Sequence, residues 1–133
     1  MFPSNTFSGS LVKGLIAGLI AALFNAILFY VFSSIGAIND TIHIQPGTPL
    51  AIHNILISSV IPSLIAGIVY FLISLKATNP LKTFQRLALT LLILSFISPF
   101  LFIPHVTFSY ASVLNGMHIV VAWSIMYVFR KFA

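Results

Sequence analysis

Asn115 and His118 stand three residues apart in NGMHIVVAW, residues 115–123, a stretch that is otherwise apolar. On a helix that spacing puts both side chains on one face. Imidazole can carry a proton, ligate a metal or hydrogen-bond while neutral. Other polar residues reach a similar depth in neighbouring apolar segments: Asn25, then His53 and Asn54 with Ser58 and Ser59, then Ser95 and Ser98. Asn25, His53, Ser59, Asn115 and His118 are therefore the candidate ligand-binding residues of a small polar pocket near one membrane surface. The competing reading is that His118 only bonds one helix to another.

Catalytic chemistry is harder to find. No carboxylate or cysteine lies beside His118, and no serine has the GxSxG context of a nucleophile elbow. Only a lipid-modifying role for His118 alone would remain, so the expectation is a protein that is not an enzyme. His43, His53, His105 and His118 show no HxxxH or similar ligand spacing, so no metal or other cofactor is expected. Absence of Asp and Glu from the apolar segments disfavours an ion-coupled carrier.

The elements that hold these residues follow from composition. The 133 residues are 59% hydrophobic and only 5% charged, with a mean hydropathy of +1.13. A soluble domain carries about 25% charged residues, so the chain reads as one integral membrane domain, residues 1–133. Its net charge of +5 is spread too thinly for a nucleic-acid surface. There is no cysteine, which removes disulfides and thiol chemistry.

Crossing about 30 Å of hydrocarbon takes about 20 helical residues. Four continuous apolar runs meet that length, at about residues 14–35, 50–75, 84–103 and 111–129. The first is too long for a signal peptide. None alternates as a barrel strand would. Four spans place Lys13, Lys76, Lys82, Arg86, Arg130 and Lys131 on one side, while Asp40 falls on the other. The positive-inside rule then predicts an up-down-up-down, all-α bundle with both termini in the cytoplasm. Tyr30, Phe100, Phe102, Phe108 and Tyr110 are expected at the outer interface, and Tyr70, Phe71, Tyr127 and Phe129 at the inner one.

In lipid, close packing rather than water draws helices together. Gly14, Gly18, Ala21 and Asn25 form one narrow stripe; Ser59, Ser63, Ala66 and Tyr70 form another; Asn115, His118 and Ala122 form a third. Ala88 and Ser95 mark a weaker stripe on span three. These faces should turn inward. The GxxxG at Gly14 and Gly18 serves equally as a dimer face. Pro62 and Pro99 should perturb their helices, with Ser58, Ser59 and Ser98 placed to bond the freed carbonyls.

The segments LIAGLIAALFNAILFYVFSSIG, HNILISSVIPSLIAGIVYFLIS and MHIVVAWSIMYVFRK resemble an uncharacterised bacterial family of four-helix integral membrane proteins, the domain-of-unknown-function family DUF6069. The resemblance covers nearly the whole chain and implies a bacterial cytoplasmic (inner) membrane protein of four helices. It carries no activity and no site residue. The first expectation is thus a multi-pass protein in the lipid bilayer that binds a small molecule or lipid in an outward-facing polar pocket. The second is an accessory subunit that pairs with itself or another membrane protein through the GxxxG face. A small channel or carrier, built as an oligomer, is the third.

Overall fold

A computed structural model describes residues 6–38, 43–45 and 48–133. Helix α1 (Phe7–Ser34) is followed by the short strands β1 (His43–Gln45) and β2 (Thr48–Pro49). Then come α2 (Ile52–Ser74), α3 (Pro80–Ser95), α4 (Ser98–Phe102) and α5 (Phe108–Lys131). The strands pair antiparallel in the α1–α2 connection. Asp40, also in that connection, lies outside the described residues. Four apolar spans result: α1, α2, α3 with α4 as Pro80–Phe102, and α5. The chain is a multi-pass membrane protein.

Side chains bond backbone donors at the starts of the four long helices. Thr6 Oγ1 accepts from the Gly9 N–H at 3.1 Å, and Thr107 Oγ1 from that of Tyr110 at 3.2 Å. Asn79 Oδ1 accepts from the Lys82 N–H at 3.2 Å, with Pro80 in the first turn. Asn54 Oδ1 reaches back to the Ala51 N–H at 2.9 Å. Each pairs a donor that the helix cannot. The Thr6 cap also explains why α1 begins at Phe7 rather than at residue 14. Its 28 residues extend about 42 Å, more than the hydrocarbon is thick, so α1 tilts or projects.

Antiparallel α1 and α2 make the tightest contact. A Cβ on Gly14 would overlap the Ser63 carbonyl oxygen, and one on Gly18 would lie 2.9 Å from the Val60 Cα. One on Gly67 would lie 2.6 Å from the Ser10 carbonyl oxygen. The two backbones therefore meet where side chains are absent. This corrects one expectation: the Gly14/Gly18 face is covered by α2 of the same chain and is not a free dimer face.

Helix α5 closes the other side of α1. Its fully buried Val128 and Phe129, with Ile125, pack with Ala17 of α1, Tyr70 of α2 and Phe84 of α3. Rings of Tyr70, Phe84 and Phe129 meet in a triangle, with centroids 5.2, 4.9 and 4.8 Å apart. Such pairs contribute about 0.5–1.5 kcal/mol each beyond area. A second cluster of Ile38, Ile55, Tyr110, Val113 and Met117 fills the opposite end. The buried face of α5 runs through Tyr110, Met117, Ser124 and Val128, with Ala122 at its edge, while Asn115 reaches toward the third span instead of the centre. Tyr70 and Tyr110, expected at the interfaces, are interior. Leu19, Leu23, Leu101 and Phe102 point outward.

Gly18→Ala should lower the stability of the folded bundle by about 1–3 kcal/mol, the usual cost of overpacking. Gly116 has nothing within 4 Å of its Cβ position. Gly116→Ala should be neutral or stabilising by up to about 1 kcal/mol. Thermal unfolding of both variants in one detergent checks the contrast.

Candidate functional site

A cavity of about 490 Å³ lies between α2, α3 and α5. Small residues make the room: Ala66 from α2, Ala88 from α3 and Ala122 from α5 all line it. Phe84 closes one end, while Ser58, Ser95 and His118 supply its polar atoms toward the other. Most of its wall is apolar. Exposed Ile65 and Leu91 on the rim show that it opens sideways, between α2 and α3.

The cavity exists because α3 is held off the bundle. Phe84 is the single buried side chain of α3. Near the other end the third span breaks at Phe96 and Ile97, and Pro99 opens the short α4. Two side chains satisfy the carbonyls that this break frees. Ser98 Oγ donates to the Ser95 oxygen at 2.8 Å, the carbonyl that Pro99 cannot reach. Asn115 Nδ2 donates to the Phe96 oxygen at 3.1 Å. Asn115 therefore pins the break in span three to α5. At Pro62 the helix continues unbroken; Ser59 and Ser63 donate to the Ile55 and Ser59 carbonyls, each at 2.8 Å.

The five residues expected to share a pocket are divided by the fold. Asn25 and Ser59 are 2% and 1% exposed. Asn25 Nδ2 donates to Ser59 Oγ at 3.1 Å and to the Met117 oxygen at 3.3 Å. That cluster ties α1, α2 and α5 together and is separate from the cavity. His53 is exposed in the first turn of α2. Only His118 lines the cavity. It is ten residues into α5, about 15 Å along the helix, deeper than a span starting at Ala111 implied. Its Nδ1 is buried and has no hydrogen-bond partner among the described residues. Ser95 Oγ is engaged with the Leu92 oxygen at 2.6 Å. His118 thus lines the cavity, while its unpartnered Nδ1 is turned away from the open space.

The sequence did not single out Ala88 as a site residue, although the weak small-residue stripe on span three was its signal; Ala66 was expected only to pack helices, and Ser58 only to lie at the depth of the polar pocket. Lys13 is a second departure. Expected as a flanking charge, it sits inside α1 with no exposed surface. Its ammonium lies over the Tyr70 ring, 5.5 Å from the centroid, and its Nζ has no hydrogen-bond partner among the described residues.

Asn25→Leu should cost about 0.5–2 kcal/mol, the range of interhelical hydrogen bonds in lipid, and should leave the cavity intact. Lys13→Met keeps the stem and removes a buried charge. Its unfolding midpoint in detergent should equal or exceed that of the wild type; a lower one would show that the contact of the ammonium with the Tyr70 ring outweighs the cost of burying the charge.

A family model described as a family of unknown function (DUF6069) matches residues 6–133, a range that holds all four spans. No curated protein and no solved structure matches the chain. The sequence match and the four apolar helices agree, and the chain belongs to the family of unknown function DUF6069.

Proposed function

We propose that the protein is a non-enzymatic binding protein for a lipid-like small molecule, with an apolar tail and a hydrogen-bonding group. The observation that carries this reading is the laterally open, mostly apolar cavity with the imidazole of His118 in its wall. A ligand would enter from the bilayer between α2 and α3. Moving an apolar tail from lipid into an apolar cavity gains no hydrophobic free energy. Shape and the bond to His118 must therefore select the ligand. A protein that only packs helices would have filled the space beside Ala66, Ala88 and Ala122 with larger side chains. In this reading the site is a greasy slot with one polar contact at mid-span, not the outward-facing polar pocket suggested by the sequence.

The same reading places the chain in a bacterial cytoplasmic membrane with both termini inside. Its support is the charge pattern: all six basic residues fall in the half of the bundle that carries the termini.

The test is thermal unfolding of the purified protein across a panel of fatty acids, monoacyl lipids, sterols and quinones. A ligand that binds the folded state raises the midpoint by mass action. His118→Leu should weaken that ligand about tenfold, equivalent to about 1.4 kcal/mol. Ala88→Trp should fill the slot and abolish the shift while the protein stays folded. A ligand whose shift survives both substitutions would overturn the reading.

A further inference from the structure

Helices α3 and α5 meet along a seam. The cavity lies on the side facing α2; a second recess, of about 450 Å³, lies on the other. Lys82 and Arg86 of α3 and Arg130 of α5 line it. Among the described residues no side-chain carboxylate lines the recess beside these three cations. The chain's one acidic residue, Asp40, follows α1 in the sequence and lies outside the described residues. A recess with three cations and no internal counter-charge is complementary to an anion. Two guanidiniums favour one with several oxygens, since each can bond two of them.

The rest of the lining says what else the anion carries. Leu89, Met126 and Trp123 continue the recess along the helices toward mid-span. Leu89 and Trp123 are half exposed, at 50% and 51%, on the face turned to the bilayer. Trp123 stacks on Tyr127, centroids 5.2 Å apart and planes within 14°. Lys131 Nζ donates to the Tyr127 hydroxyl at 3.3 Å, fixing the ring at the rim. Cations thus lie at the bundle end, aromatic rings beside them, and an apolar floor runs inward. That order of groups matches a phospholipid: phosphate, glycerol, acyl chain.

We infer that this recess is a binding site for the phosphodiester headgroup of an anionic phospholipid in the leaflet that faces the termini. Arg86 and Arg130 grip the phosphate from two helices, Lys82 adds charge, and the acyl chains lie along Leu89 and Trp123. The site is independent of the cavity at His118, with which it shares no lining residue.

The experiment uses the full chain in a neutral detergent and reads the unfolding midpoint during titration with phosphatidylglycerol, phosphatidylcholine or glycerol 1-phosphate. Phosphatidylglycerol should raise the midpoint, and the other two should not. Arg86→Gln with Arg130→Gln should raise the phosphatidylglycerol concentration needed at least tenfold. Arg86→Lys with Arg130→Lys, which keeps the charge, should lose less. Lys76→Gln removes a charge outside the recess and should leave the titration unchanged. Equal shifts with phosphatidylcholine, or an unaltered titration for the double glutamine variant, would overturn the inference. A shift with glycerol 1-phosphate as large as with the lipid would overturn the lipid assignment in favour of a soluble phosphate. Native mass spectrometry of retained lipid reads the same contrast for any variant whose melting is altered without ligand.

Discussion

The backbone approach of α1 to α2 sets the rest of the structure. Attraction between helices in lipid comes from dispersion and hydrogen bonds, which fade within an ångström of separation. Gly14, Gly18 and Gly67 remove the side chains that would hold the two helices apart, and each points at backbone of the partner. Those contacts run from Ser10 opposite Gly67 to Gly18 opposite Val60, so the pair is rigid through its middle. Beside it, fully buried Ala17 lets α5 settle with Ile125 and Val128 against it. No comparable seat remains for α3. It packs along α5 with Phe84 as its only buried side chain, and the Asn115 bond holds the span at its break. On the side toward α2 the gap is the cavity.

A second constraint explains the polar residues. In hydrocarbon a backbone carbonyl without a donor costs several kcal/mol. The broken third span exposes such carbonyls at Ser95 and Phe96, and side chains of Ser98 and Asn115 occupy both. Asn25 and Ser59 are likewise engaged, with each other and with the Met117 oxygen. Once these structural duties are assigned, NGMHIVVAW separates into two parts. Its asparagine holds the fold together, while its histidine faces an opening. Residues three apart on one helix face end with different roles because the break at Phe96 lies within reach of one, and the slot begins at the other.

Much of this architecture was legible in the chain. Long unbroken apolar runs are unambiguous in a sequence with so few charges, and the alternation of connections with and without basic residues agrees with four spans. Small residues on span one correctly marked a contact face, because glycine at Gly14 and Gly18 has little other use in an apolar helix. The partner of that face was not legible: periodicity gives an angle on one helix, never the helix opposite. The same limit scattered the expected pocket. Asn25, Ser59 and His118 lie at similar depth, but depth fixes one coordinate out of three, and the rotation of α5 put Met117 between them. Small residues carry a further ambiguity. Opposite a glycine they bring backbones together; Ala66, Ala88 and Ala122, lining one gap with α3 held away, leave space. Lys13 misled for a different reason. A lysine beside an apolar run reads as its boundary, whereas the Thr6 cap extends α1 past it and Tyr70 receives its stem and charge.

These constraints concentrate the accessible chemistry on one helix. Cavity and basic recess share α3 as a wall, and α3 is the span with the least buried surface. Ligand-binding elements are drawn from the weakly held parts of a fold, because a helix locked on every side has nowhere to admit a guest. The α1–α2 pair supplies the opposite quality. Its glycine contacts leave no space for a ligand, and its close packing lets α3 stand apart without loss of the bundle. Span three is also where prolines and a broken helix are tolerated, since Asn115 and Ser98 supply the missing donors. The division of labour is therefore physical before it is functional: close packing on one side of α5 makes loose packing on the other side sustainable.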